Sequence, residues 1–284
     1  MAAPAPEPQP TTETTVARLL ADIGVVVGAA TAVLYYFGWV RTRFQARELG
    51  FDVSALNLTT ADYLLKSLNV LFLPLILLVI GVLAGVQAHR RFVAPRLAPG
   101  RSARALRAAR GLSLAWIPLA LAGLGLLFSP LNGYVIPLTL TLAVLLAGYS
   151  RVIRRAVTGV DPWPPAVRIA VAALLTLAVF WSTERVARTM GTAFGADFAA
   201  DPGQLPAVVV YSDEDLRLDG DGVATTRMPG TDAAYQFRYA GLFLLERSGD
   251  RYFFITVHPG RVVILRETDS VRMEFVKTDG GDGR

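Results

Sequence analysis

Five stretches of the chain stay apolar over lengths that suit a membrane crossing, and a later region alternates instead. A helix rises 1.5 Å per residue, so a ~30 Å hydrocarbon core takes about 20 residues. Residues 19–40, 68–88, 112–128, 134–149 and 166–183 meet or approach that length. Pro74 predicts a kink in the second stretch. Thr60 is expected to cap its N-terminus, with Asp62 in the first turn. The third and fourth stretches predict a hairpin closed by SPLNG (129–133), where Pro130 and Gly133 suit a tight turn. Arg41, Arg43 and Arg47 extend the first helix beyond the apolar run, into a mixed loop over 41–67 that packs down. Trp39, Trp116, Trp163 and Trp181 fall near the predicted interfaces, where aromatic rings favour the headgroup level.

From residue 205 the period shortens to two. AVVVYS, DLRL, YQFRYAGLFLLERS, RYFFITV, VVILRE and VRMEFV predict about six short strands, with DGDG and Gly249-Asp250 as turns. The fold class is therefore an α-helical integral membrane bundle of about five transmembrane helices, followed by a small all-β, barrel- or sandwich-like domain. Residues 1–15 form a disordered cytoplasmic tail, 16–190 the membrane domain, 191–204 a linker, 205–277 the β domain and 278–284 a second disordered tail. In the β domain Val208, Val210, Phe243, Leu245, Phe253, Ile255, Val263 and Leu265 can fill one small core. Phe237, Tyr239, Leu242, Leu244, Tyr252 and Phe254 fall on the alternate parity and need cover as well. A domain of about 70 residues without disulfides is marginal alone. It is expected to dock on loop 41–67 or on a second subunit.

Composition agrees with a membrane class. The chain has 284 residues, of which 53% are hydrophobic and 18% charged, with mean hydropathy +0.43. Soluble domains carry about 25% charged residues. The net charge of +5 is modest, and the basic residues lie beside apolar runs. That pattern serves topology; no nucleic-acid motif is present, and no nucleic-acid partner is expected. Cysteine is absent, which excludes thiol catalysis, disulfides and Cys-ligated metals.

Charge orients the bundle. Residues 89–110 hold Arg90, Arg91, Arg96, Arg101, Arg104, Arg107 and Arg110 and no acid. Central Arg costs about 2.5–3.5 kcal/mol on insertion scales, and Arg-rich loops stay cytoplasmic. Arg151, Arg154 and Arg155 fall on the same side. Arg41, Arg43, Arg47, Lys66, Arg185 and Arg188 fall on the other. The N-terminus is then cytoplasmic and the β domain extracytoplasmic, in a multi-pass protein of the plasma membrane. The ten cytoplasmic arginines (90, 91, 96, 101, 104, 107, 110, 151, 154 and 155) are the candidate contacts for anionic lipid headgroups, each worth ~1 kcal/mol near such a surface. Their plainer role is to fix topology.

Candidate chemistry is sparse. Gly24-x-x-x-Gly28 and Gly81-x-x-x-Gly85 allow close helix packing within the chain or a homo-oligomer seam. Asp213, Glu214, Asp215, Asp219 and Asp221 cluster, but not with the spacing of a calcium loop. His89 and His258 lack companions at ligand spacing. No HExxH, GxSxG or Walker sequence occurs. Neither catalytic residues nor metal or cofactor ligands are expected.

YFGWVRT (36–42), GFDVSALNLTTADYLLKS (50–67) and ERSGDRYFF (246–254) resemble segments of uncharacterised polytopic membrane proteins of actinobacteria with a C-terminal β domain. The resemblance implies a bacterial plasma membrane and no particular activity. The expected function is a non-enzymatic membrane protein whose outer β domain senses or scaffolds. The alternatives are an oligomeric channel or permease for a small solute or ion, and a lipid-modifying enzyme. The enzyme would place Asp52, Asp62 and Lys66 at a site between loop 41–67 and the β domain.

Overall fold

The computed structural model describes residues 12–97, 102–126, 132–218, 222–230, 234–257 and 261–276. The SPLNG and DGDG turns lie largely outside them, and His258 and the tail from 278 wholly so. The molecule is mostly helical, with four helices long and apolar enough to cross a membrane, followed by an antiparallel sheet.

Helix α1, Thr12–Glu48, carries the apolar run and continues through the three arginines. Its 37 residues reach about 55 Å, longer than the ~30 Å that a membrane crossing takes. Residues 12–15, expected in the disordered tail, belong to this helix; Thr and Glu interrupt no helical hydrogen bond and simply lack an apolar face.

A turn at 49–59 leads to α2, Thr60–Ala88. The N-cap is Thr59 rather than Thr60. Its hydroxyl accepts from the Asp62 N–H (3.3 Å), while the Asp62 carboxylate accepts from the Thr59 N–H (2.8 Å). This reciprocal pair satisfies two donors at the helix start. A π-helical turn, His89–Val93, and a 3-10 turn, Ala94–Leu97, begin the basic segment.

The expected third crossing, 112–128, is not one helix. Helix α3, Ser102–Leu114, stops at Ala115, and α4, Trp116–Gly125, follows. Neither reaches membrane length, so five expected spans become four candidates among the described residues. Both segments run antiparallel to α5, Asn132–Thr158: Arg154 donates to the Ser113 hydroxyl, and Gly123 faces the Thr139 hydroxyl.

Helix α6, Pro165–Ala200, opens with proline in its first turn, where no N–H is needed. It absorbs most of the expected linker 191–204; the rest is a 3-10 turn, Pro202–Gln204. The reason is packing. Thr183, Ala187, Gly191 and Gly195 recur every four residues as a buried stripe of small side chains. Any Cβ at Gly191 would strike the Arg41 carbonyl, and one at Gly195 would lie 2.6 Å from Glu48 Cβ. The small stripe lets α1 and α6 approach closely beyond the apolar runs. Gly38 plays the same part between α1 and α2, against the Tyr63 carbonyl.

The β region is a single open sheet, neither a closed barrel nor a two-sheet sandwich. Its strands are β1 Ala207–Ser212, β2 Ala224–Arg227, β3 Phe237–Ser248, β4 Arg251–Thr256, β5 Val262–Arg266 and β6 Val271–Val276. The order is β5-β4-β3-β1-β6, with β2 beside the first half of β3. DLRL is not a strand; it is an irregular segment whose Leu216 and Leu218 cover the sheet core. β2 (ATTR) takes its place in the count and is exposed throughout.

Two bulges decide which side chains share a face. Val208 pairs with Leu242 but Val210 with Tyr239, so β3 holds one extra residue against β1. Gly241 sits in this bulge at φ +86°, a conformation in which a side chain would be strained. A second shift falls between Leu244 and Glu246. As a result Val208 and Val210 join Tyr239, Leu242, Tyr252 and Phe254 in one core, with Phe237, Leu244, Val263 and Leu265 against it. The sequence parity had separated these groups. Phe253 and Leu245 face the other way and pack on the helices.

Candidate functional site

The joint between sheet and helices is built from residues far apart in sequence. Ala46 of α1, Val53 and Leu56 of the turn, Tyr63 of α2 and Phe253 of β4 form one buried cluster. Phe51 stacks on Phe253 with ring centroids 6.0 Å apart. Around the rim, Lys66 is ion-paired with Glu246, and the Ser248 hydroxyl donates to the Asn57 carbonyl at 3.1 Å. The apolar centre excludes water, and the polar rim fixes the sheet's rotation on its seat. This seat on loop 41–67 is where the strands were expected to dock.

The same geometry occupies the residues expected of an enzyme. Asp52 accepts from the Ser54 N–H at 2.8 Å, and the Ser54 bonds hold its carboxyl below the usual range. Asp62 is spent in the capping box and Lys66 in its ion pair. A polar notch of about 450 Å³ lies at the turn, bordered by Arg43, Arg47, Gly50, Phe51, Asp52 and Val53. Of the three, Asp52 lines this notch, and Asp62 and Lys66 do not.

The ten candidate lipid-contact arginines differ in their surroundings. Arg90, Arg91, Arg107 and Arg110 are exposed. Arg101 lies outside the described residues, and Arg96 and Arg104 are placed only by their backbone, in the 3-10 turn and α3. Arg151 and Arg155 reach toward Asp161 in the α5–α6 turn, while Arg154 donates to the Ser113 hydroxyl of α3. The Asp161 carboxylate accepts from Arg151 (Nε, 2.8 Å), with Arg155 and Arg168 within 4.0 Å and 3.9 Å. The Arg151 hydrogen bonds, aided by the Trp163 N–H, hold the Asp161 carboxyl well below the usual carboxylate range. Arg151 also lies over the Trp163 ring at 5.4 Å.

Other sequence candidates have structural partners. His89 Nδ1 lies 2.9 Å from the Tyr149 hydroxyl and ties the end of α2 to α5. Asp215 accepts from the Tyr239 hydroxyl (2.9 Å) and the Arg217 N–H (3.0 Å). Asp219 and Asp221 lie outside the described residues. Among the described residues no His, Asp or Glu cluster suits a metal ion. Gly24, Gly28, Gly81 and Gly85 meet nothing within 4 Å of an added Cβ, so among the described residues neither expected small-residue motif packs within the chain.

Two features escaped the sequence reading. Gly191-x-x-x-Gly195 is the small-residue motif that does pack, and it was assigned to a linker. Arg41 and Arg185 each bury a guanidinium Nε without a hydrogen-bond partner among the described residues. Arg41 rests 4.6 Å from the Phe194 ring centre. Arg185 borders a cavity of about 640 Å³ between α1, α2, α5 and α6. Their apolar helical context offered no signal beyond the lone charges themselves.

No protein-family model matches the sequence, no curated relative matches it, and no solved structure matches its fold.

Proposed function

We propose that the chain is a non-enzymatic integral membrane protein that holds its sheet as a rigid sensing or scaffolding platform on the extracytoplasmic face of a bacterial plasma membrane. The observation that carries this reading is the seat of Phe253 on Ala46, Val53, Leu56 and Tyr63. A platform on a tether reports nothing to the bilayer. A platform packed on the projecting ends of α1 and α2 shares every displacement with them. The arginine bias supports the orientation, with 89–110 inside.

Because the chain has no cysteine, two introduced thiols can carry spin labels without competition. Labels at exposed Ile264 of β5 and exposed Leu68 of α2 should give one narrow distance distribution in liposomes. A broad distribution removes the platform. The same liposomes should pass no solute-selective current above empty vesicles; such a current would favour the channel alternative.

A further inference from the structure

The cavity between α1, α2, α5 and α6 is walled by apolar side chains, among them Phe37, Leu71, Pro74 and Phe180. Its volume of about 640 Å³ falls within the roughly 300–1,000 Å³ of small-molecule sites. Four hydroxyls line it, and each already donates to its own helix: Thr141 to Pro137, Thr176 to Ala172, Ser182 to Ala178 and Thr183 to Val179. They offer no donor to a ligand.

Arg185 is different. Its Nε is buried without a hydrogen-bond partner, and it has no ion pair among the described residues. The adjacent acid, Glu184, is paired with Arg188 on the same helix (Nε to Oε1, 3.0 Å). The Arg185 guanidinium lies against Gly133 in the first turn of α5, where a Cβ would meet Nη1 at 2.8 Å. The first N–H groups of a helix have no partner within it and favour an anion. A cation held here without a counter-charge is costly. The cavity's lining thus carries one positive charge, at Arg185, among side chains that are mostly hydrocarbon.

We infer that this cavity is a site for one anionic phospholipid of the leaflet beneath the sheet, with an acyl chain in the groove and the phosphodiester on Arg185. The inference rests on the membrane reading above. A phosphate oxygen would supply the counter-charge that the Arg185 guanidinium, which lines the cavity, lacks among the described residues, and charge-assisted bonds to a guanidinium are among the strong ones. The site lies at the opposite end of the helices from the basic segment 89–110, so the two are separable by mutation.

The test uses the full chain, purified in a neutral detergent, with phosphatidylglycerol titrated in and bound lipid counted by native mass spectrometry. One tightly held phosphatidylglycerol per chain is expected, and phosphatidylcholine should bind at least tenfold more weakly. Arg185→Gln should lose roughly tenfold in affinity, and Arg185→Lys should lose less. Thr176→Phe, which adds bulk at an exposed wall, should weaken binding with Arg185 intact. Neutralising Arg107 and Arg110 should leave the tight lipid in place. Helical circular dichroism confirms that each variant is folded. Equal binding by the parent, Arg185→Gln and Thr176→Phe overturns the proposal. Displacement of the lipid by millimolar inorganic phosphate also overturns it, in favour of a small anion. Failure of the chain to resist alkaline extraction from membranes would instead remove the membrane reading itself.

Discussion

Phe253 and Phe254 are consecutive in β4 and both fully buried, but in opposite directions. Phe254 fills the sheet's own core with Tyr239 and Leu242, while Phe253 is the sheet's plug in the helical seat. A strand alternates faces, so burial of both neighbours requires cover on both sides. One side is supplied by neighbouring strands' side chains with Leu216 and Leu218, the other by α1, the 49–59 turn and α2. Stability and attachment are therefore carried by adjacent residues.

Substitution should separate them. Truncating a buried Phe to Ala costs about 3–5 kcal/mol. Phe254→Ala should destabilise the sheet, read as lower resistance of 207–276 to pulse proteolysis. Phe253→Ala should loosen the seat: a thiol placed at buried Ala46 should label several times faster. Equal labelling in the two variants would show that seat and sheet open as one unit.

The Lys66–Glu246 pair joins α2 to β3 across the rim of that seat. Both side chains are partly exposed, so a double-mutant cycle with alanine should give a coupling of about 1 kcal/mol or less. Lys66→Glu should raise labelling at position 46, and adding Glu246→Lys should reverse it. Loss of coupling in high salt is expected for a rim pair.

The β region's existence was legible because β1 and β3–β6 alternate or run apolar, while the helices show long unbroken runs. The capping box was half legible, since Thr59 and Thr60 are adjacent and only Asp62's geometry selects between them. The far half of α6 was not, because Gly191 to Ala200 is rich in Gly and Ala, which reads as a linker when the partner helix is unknown. Face assignment was legible within β3 and β4, where Phe237, Tyr239, Leu242, Leu244, Tyr252 and Phe254 share one face; it failed between strands, since Val208, Val210, Val263 and Leu265 join that face through a register that only the paired strands define. β2 was invisible because ATTR has no apolar face to bury. Arg185 could be seen only as a charge at a helix end; its missing partner is a three-dimensional fact.

The glycines give a contrast within one chain. Gly191→Ala and Gly195→Ala force apart α1 and α6, and overpacking of this kind costs about 1–3 kcal/mol. Gly24→Ala and Gly85→Ala add a methyl to open space and should be neutral or slightly stabilising through helix propensity. Thermal unfolding in detergent would rank them. If Gly24→Ala or Gly85→Ala instead shifts a dimer to monomer on analytical ultracentrifugation, those outward faces form a seam between two chains.

Tyr239 and Asp215 define the pH range of the sheet's cover. The buried Tyr239 hydroxyl donates to Asp215 and accepts the Leu216 N–H at 2.8 Å, so it pins the irregular 213–218 segment over the core. The Arg217 N–H and then the Tyr239 hydroxyl lower the Asp215 pKa from the usual carboxylate value. A depressed folded pKa gives stability that is complete above the unfolded value, about 3.9, and is lost as pH falls through the folded value. Burial, then the Asp215 bond, raises the Tyr239 pKa. A raised folded pKa gives stability that is complete below the unfolded value, about 10, and is lost as pH rises through the folded value. Between these limits the contribution of the pair should be flat. Tyr239→Phe leaves the Leu216 N–H without its acceptor, at a cost of about 1–3 kcal/mol. It should abolish the alkaline loss and reduce the acid loss, since the Arg217 bond to Asp215 remains. Hydrogen exchange at the Leu216 amide in the reconstituted full chain, corrected for intrinsic rates, measures both limbs. An alkaline limb that persists in Tyr239→Phe would assign the transition to another group.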